Sequence, residues 1–345
     1  MAKKRWVSLA TFLGFAIVVC VASTAAAEEF YKGKTIRFIV GYSPGGGFDT
    51  YTRLIARHFG RHIPGNPSTL VQNMTGAGTL IAANYLYNRA KRDGLTIANF
   101  ISPLILQEVM GNKAVKFEGR KFGWLGMPTP DSGVCALTKA SGIKTMDDWF
   151  ASKREIKVGS AAPGGVTTVG PKLLKEAIGL PMKVIVGYGG TAKVRLAAEG
   201  GELDGGCWAW QSIKPTWSRA LETGNVRVVL QLTLKSHPDL KNIPLAMDYA
   251  KTEEARELLR VINDAYGSAY RPYAVPPGIP KDRLRLLQKA FMETMRDPKL
   301  LREAKKSQLE INPLDGAKIA KKFASFYKYD SKLIARVKEI IEPKK

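Results

Sequence analysis

The groups in this chain best placed to do chemistry are backbone amides. Four glycine-rich stretches stand out: Gly41-Tyr42-Ser43-Pro44-Gly45-Gly46-Gly47, Gly76-Ala77-Gly78-Thr79, Ser160-Ala161-Ala162-Pro163-Gly164-Gly165 and Gly187-Tyr188-Gly189-Gly190. Each follows a β-type run and precedes a helical pattern, which puts free N–H groups and the positive end of a helix dipole at the loop. Glycine lets a ligand come close to that backbone, and a carboxylate or phosphate is the natural occupant. One such loop reads first as a tight turn. Several at equivalent strand ends read as a binding site, since ligands of open α/β sheets sit at the carboxyl ends of the strands.

Other chemistries fit less well. Gly41 and Gly46 have Walker A spacing, but Gly47 stands where the lysine belongs, and Gly45-Gly46-Gly47 does not match GxGxxG. Gly41-Tyr42-Ser43-Pro44-Gly45 fits GxSxG in a strand–turn–helix setting, yet Pro44 lacks an N–H for the oxyanion hole. An exported esterase using Ser43 is therefore the minor hypothesis, and the leading expectation is a protein with no catalytic role. Asp49 and Asp204 are single carboxylates, read as a helix N-cap and a solvated loop acid. His58 and His62 have the i,i+4 spacing of zinc sites, but no third ligand is near and Arg57 and Arg61 flank them, so a solvated helix face is expected. Neither a metal nor a cofactor is expected.

The elements that must hold these loops alternate. Strands are expected at 35–40, 68–71, 95–100, 156–159, 183–186, 205–210 and 226–232. Helices are expected from near Asp49, at 79–89, 167–177 and 191–199, and then at 253–265, 281–296, 298–307 and in one piece from 315 to about 341. Asp282 is expected to cap the second helix of that last group. The alternation predicts α/β architecture with parallel sheets covered by helices on both faces.

Composition limits the setting. The chain has 345 residues, 53 Lys+Arg against 30 Asp+Glu, and 45% hydrophobic residues. These values exclude a largely disordered chain and a multispanning membrane protein. Lys3-Lys4-Arg5, an apolar run from Trp6 to about Ala22, and Ala25-Ala26-Ala27 ahead of Glu28 read as a cleaved secretory signal peptide over 1–27. An exported protein argues against nucleic acid as the partner of the net +23. Tyr42 to Phe48 holds no Lys or Arg, so the excess charge reads as a solvated surface property. In an oxidising compartment Cys135 and Cys207 either pair or sit as two buried small hydrophobes, and spacing does not choose.

Ile36 to Asp49, reading IRFIVGYSPGGGFD, resembles the opening signature of the substrate-binding proteins of tripartite tricarboxylate transporters, the Bug or TctC-like receptors. The resemblance continues through Val71 to Gly78, Arg92-Asp93-Gly94-Leu95-Thr96, Gly187 to Gly190, Gly200 to Asp204, Pro276 to Pro280 and Asp297-Pro298. It implies a two-lobed periplasmic-binding-protein fold of the type II, Venus-flytrap kind. Lobe I would be 28–129 with 232–345 and lobe II 130–231. The crossover strands would lie near Val134-Cys135-Ala136 and at Val226 to Leu232. It also implies a periplasmic receptor that passes a small organic acid to membrane permease subunits; a ligand-dependent partner of a sensor kinase is the second hypothesis, and a monomer is expected.

The resemblance assigns one carboxylate to Tyr42, Ser43, Gly45, Gly46, Gly47, Phe48 and Asp49, with Gly76, Ala77, Gly78 and Thr79 from the same lobe. Ser160, Ala161, Gly164, Gly165, Val166, Thr167, Tyr188 and Gly189 would hold the other end. The second-lobe loop departs from the family's serine-rich form. Trp208 and Trp210 are unusually aromatic there, either as core or, if Trp208 lines the cleft, as a wall for an aromatic or longer apolar acid. Citrate-like, dicarboxylate and aromatic ligands all remain open.

Overall fold

The computed structural model describes residues 30–267 and 270–342. The expected signal peptide lies outside the described residues. The first sheet begins with β1 (Thr35–Val40), α1 (Gly47–Phe59), β2 (Ser68–Asn73), α2 (Leu80–Asn88), β3 (Thr96–Asn99), α3 (Pro103–Val109) and β4 (Gly123–Met127). The chain then forms β5 (Gly133–Thr138), α4 (Met146–Phe150), β6 (Ile156–Ser160), α5 (Val166–Ile178), β7 (Met182–Val186) and α6 (Thr191–Glu199). It continues through β8 (Gly205–Ala209), α7 (Trp210–Thr216), α8 (Ser218–Glu222) and β9 (Val226–Gln231). The return comprises α9 (Glu253–Gly267), β10 (Tyr273–Val275), α10 (Lys281–Thr294), α11 (Pro298–Lys306), β11 (Leu314–Asp315), α12 (Gly316–Phe326) and α13 (Ser331–Ile341).

Two sheets result, ordered β11-β4-β10-β3-β1-β2 and β7-β6-β8-β5-β9. β1 runs parallel to β2 and β3, and β6 parallel to β7 and β8. The sheets are nevertheless mixed, not all-parallel as the alternation suggested. β10 is antiparallel to β3 and β4, and β5 to β8 and β9. The reason is connectivity. β5 enters the second sheet directly from the first, and β10 is the strand that re-enters the first, so each starts at the edge where its βα neighbours end.

β5 and β9 lie wholly within the second sheet, side by side. The passage out of the first sheet is made by residues 128–132 and the way back begins after Gln231. The long C-terminal helix of the sequence reading is broken at Tyr327, and Asp330 caps a new helix by accepting from the N–H groups of Lys332 and Leu333. Asp282 lies in the first turn of α10 but makes no cap bond; Pro280 occupies the N-cap.

α1 turns Tyr51, Leu54, Ile55 and Phe59 into an apolar cluster with Phe38, Tyr273 and Phe291 of the first sheet's side, each such side chain contributing about 1.5–3 kcal/mol. A larger cluster is continuous from Phe100 and Leu104 through Tyr266 and Tyr270 to Val166 and Leu173, joining the two sheets. α9 and α13 both pack on α5 of the second sheet, and Arg336 of α13 bridges Glu176 and Glu254. His58 is not on a solvated face: it is buried against Glu303 of α11, while His62 meets Asp297. Cys135 and Cys207, opposite each other in the β5–β8 pairing, form a disulfide.

Candidate functional site

The carboxyl ends of β1, β2, β3, β6, β7 and β8 bring their loops face to face. Ser43 N donates to Gly189 O at 3.5 Å, and Gln107 Nε2 to Gly164 O at 2.6 Å. A Cβ placed on Gly78 would stand 3.1 Å from Gly165 N, and one on Gly46 2.9 Å from Thr191 Oγ1. Contact this close is available only to residues lacking a side chain. A cavity of ≈ 10 Å³ remains between the two loop sets, room for about one water. Admitting an organic acid therefore requires the Ser43–Gly189 and Gly46–Thr191 contacts to part.

From the first sheet, Tyr42, Gly46, Gly47, Phe48 and Tyr270 line this cavity. Thr191, Trp208, Ala209 and Ser212 line it from the second. The amino ends of α1 and α6 thus face the same space, and each brings about half a positive charge. None of these nine residues carries a charge. The rings of Tyr42 and Phe48 meet edge to face at 5.1 Å, and Phe48 meets Tyr270 likewise at 5.2 Å. The Tyr42 hydroxyl sits beside that of Tyr270, and burial pushes both phenols above their ordinary range.

Behind the wall, Arg271 and Asp131 form a fully buried ion pair. Arg271 Nε donates to Asp131 Oδ2 at 2.8 Å and Nη2 to Ser212 Oγ at 2.9 Å. The guanidinium also lies over the rings of Phe48 and Tyr51, at 5.2 and 4.6 Å. Tyr42 Oη, Ser43 Oγ, Trp208 Nε1 and Arg271 Nη1 are buried without a hydrogen-bond partner. Buried polar atoms are usually satisfied, so two orphans on lining residues, Tyr42 and Trp208, with two more in the loop and behind the wall, mark the cavity as a place built for a further group.

The structure sorts the residues expected to bind. Tyr42, Gly46, Gly47, Phe48 and Trp208 line the cavity, and Ser43 and Gly189 close over it. Asp49 is turned away. The helix begins at Gly47 with Gly46 as N-cap, so Asp49 is its third residue, not its cap. Its carboxylate accepts from Gly45 N, from Arg53 Nε and from Asn73 Nδ2 at 3.0, 3.0 and 2.9 Å. Burial pushes this carboxyl up, but the bonds from Arg53, Gly45 and Asn73 outweigh it and hold it below its ordinary value. Asp49 and Gly45 therefore shape the loop.

Ala77 and Thr79 hold left-handed backbone, at φ 47° and 74°, beside Gly76 and Gly78. Such conformations in non-glycine residues are costly and cluster at functional loops. Thr79 Oγ1 accepts from Ile101 N, which pins the strained turn to the next strand end. In the second lobe, Ser160 Oγ bonds Thr167 and Thr168, and Ala161 N donates to Thr167 Oγ1. These hydroxyls are committed to their own loop, while Gly164, Gly165 and Val166 carry the α5 amino end toward Gly78. The Tyr188 hydroxyl donates to Glu202 and leaves the cavity. Asp204 is not a solvated loop acid; Arg154 holds it through two bonds of 2.7 Å.

Thr191, Ala209, Ser212, Tyr270, Asp131 and Arg271 were not marked by the sequence reading. Ala209 is the last residue of β8 and Ser212 follows it, so the strand-end rule applied there would have reached them. Tyr270 and Arg271 lie between α9 and β10, and only the return of the chain places them at the cleft. All three histidines have acidic neighbours, His58 with Glu303, His62 with Asp297 and His237 with Glu310, and none of these contacts involves Ser43.

No family model matches the chain. It is 25% identical over 229 residues to the "UPF0065 protein in gbd 5'region" of Cupriavidus necator, covering 61% of this chain and 63% of that protein. A UPF0065 protein of Agrobacterium vitis is 28% identical over 189 residues, 53% of each chain. The chain thus spans less than two thirds of the length of these curated relatives.

Among solved structures, the periplasmic binding protein BugD superposes with a TM-score of 0.71 at 18% identity, over 90% of this chain and 98% of that one. MatC of Rhodopseudomonas palustris with bound malate gives 0.68 at 17%, over 90% and 99%. An R. palustris protein with adipate gives 0.71 at 17%, over 89% and 97%. The fold of this chain is that of the periplasmic binding proteins, and its structural neighbours are binding proteins of the Bug and TctC kind.

Proposed function

We propose that the protein is a periplasmic solute receptor that captures a small organic acid between its two lobes and delivers it to a tripartite tricarboxylate-type membrane transporter. One observation carries this reading. The glycine loops of both sheets converge on one buried cavity, with two helix amino ends and four unpartnered polar atoms at or behind its wall. Helix ends and backbone amides suit a carboxylate without any charged side chain. In this reading lobe I is 28–129 with 232–345, lobe II is 130–231, and the first 27 residues direct export. Among the described residues no helix is long and apolar enough to cross a membrane. The two neighbours solved with malate and adipate support an acid as ligand class.

The test is a titration of di- and tricarboxylates and aromatic acids against the exported protein, following tryptophan fluorescence and melting temperature. Native mass spectrometry of protein purified from periplasm identifies the cargo directly. A flat response to every acid, with no co-purified ligand, overturns the receptor reading.

A further inference from the structure

We infer that the preferred ligand is an aromatic monocarboxylate, with Trp208 as the residue that selects for the ring. This deepens the receptor reading and rests on it.

The walls supply the first argument. Tyr42, Phe48, Trp208 and Tyr270 put four aromatic side chains around the cavity. Such rings gain most from a flat unsaturated partner, through offset or edge-to-face contact.

Charge supplies the second. With no Lys or Arg among the lining residues, positive potential comes mainly from the amino ends of α1 and α6, each worth about half a charge, with a smaller share from the two-turn α7, whose N-cap Ala209 also lines the cavity. Together they balance one carboxylate. A citrate-like acid would bring three into a site shut from water, where an uncompensated charge is expensive. Arg271 does not alter the balance, because Asp131 already neutralises it.

Trp208 supplies the third. It is 1% exposed, and its Nε1 has no partner. Its neighbours on α7 and beyond are different: Trp210 Nε1 donates to Asp239 at 3.1 Å and Trp217 Nε1 to Glu199 at 2.6 Å. Trp217 stacks on Trp208 at 5.5 Å and 16°, so the Glu199–Trp217 bond fixes the plane of the Trp208 ring. Trp208 lines the cavity, so a held aromatic ring and a donor without a protein partner stand at its wall, which suits a ring carrying an acceptor such as a hydroxyl.

The test compares benzoate and 4-hydroxybenzoate with malate, adipate and citrate on the full exported protein, by calorimetric titration and melting temperature. At least one aromatic acid should bind about tenfold or more tightly than every aliphatic one, the scale of one to two aromatic contacts. An aliphatic acid that equals or beats both aromatic acids overturns the class while leaving the receptor intact. No binding by any acid removes the receptor reading and this inference with it.

Trp208→Leu should bring the aromatic-to-aliphatic affinity ratio toward one, a quantity that a purely structural role would leave unchanged. If Trp208→Leu does not melt cooperatively, Trp208→Phe keeps the stack and removes the donor. It should then weaken 4-hydroxybenzoate several-fold relative to benzoate. An unchanged ratio in the folded variant overturns the role of Trp208.

Discussion

Ser212 of α7 occupies the space beside Gly47 of α1: a Cβ on Gly47 would stand 2.0 Å from Ser212 Oγ and 3.0 Å from its Cα. The two residues come from different sheets and both line the cavity. Glycine at 47 is therefore a condition for the two loop sets to meet, and it also leaves the α1 amino end bare.

Gly47→Ala should keep the fold of each lobe and oppose their apposition. Overpacking of this kind costs about 1–3 kcal/mol, which corresponds to binding weaker by about 5- to 150-fold if it falls on the closed form alone. Ser212→Gly in the same chain should restore part of the loss. Calorimetric titration of the single and double variants with the best-binding acid checks the relationship; equal affinity in Gly47→Ala and the parent removes it.

Removing one side of the buried ion pair should be severe. Asp131→Asn leaves the Arg271 charge unpaired at a position where both side chains are fully buried, a change that costs about 3–5 kcal/mol. The double variant Asp131→Leu, Arg271→Met should recover most of that, because no buried charge is left. Urea denaturation midpoints separate the two. Asp131 lies on the passage between sheets and Arg271 just before β10, and Arg271 also donates to Ser212 of the cavity wall, so ligand affinity in the double variant reports how far the pair supports that wall.

The disulfide closes a loop of 72 residues between two buried cysteines. Cys135→Ala with Cys207→Ala should lower stability by about 2–4 kcal/mol. Reductant added to the folded protein should act only on the unfolding time scale, since neither sulfur is exposed. Thermal melts with and without reductant, in parent and variant, read both effects.

Acid should loosen the Tyr42–Asp49 loop through Asp49. Its carboxyl is held below the ordinary value in the folded chain. Its contribution is thus fully present above the unfolded value near 4 and is lost as pH falls through the folded one. Asp49→Asn should cost about 1–3 kcal/mol at pH 7 and flatten the fall in melting temperature between pH 5 and 3. A parent and variant that lose stability in parallel over that range would show that other carboxylates dominate.

Much of this architecture was legible from residue order. Thr35–Val40 and Thr191–Glu199 were placed to the residue, because β-branched runs and glycine stops are local signals. The glycine loops were recognised as the chemical centre for the same reason: amide exposure at a strand–helix junction depends only on neighbours in sequence. β4 and β10 were missed, since Gly123–Met127 and Tyr273–Val275 are short and buried on both faces, without a periodic pattern.

What the sequence determined by itself is a chain of βα units with bare helix ends at their loops. Tertiary structure alone decided three things. It reversed β5 and β10, because their direction depends on which sheet the chain has just left. It joined Cys135 to Cys207 through strand register across 72 residues. It also set Trp208, Ser212 and Tyr270 around the cavity and the Asp131–Arg271 pair behind them, since side chains from three distant segments come together only once both lobes are folded.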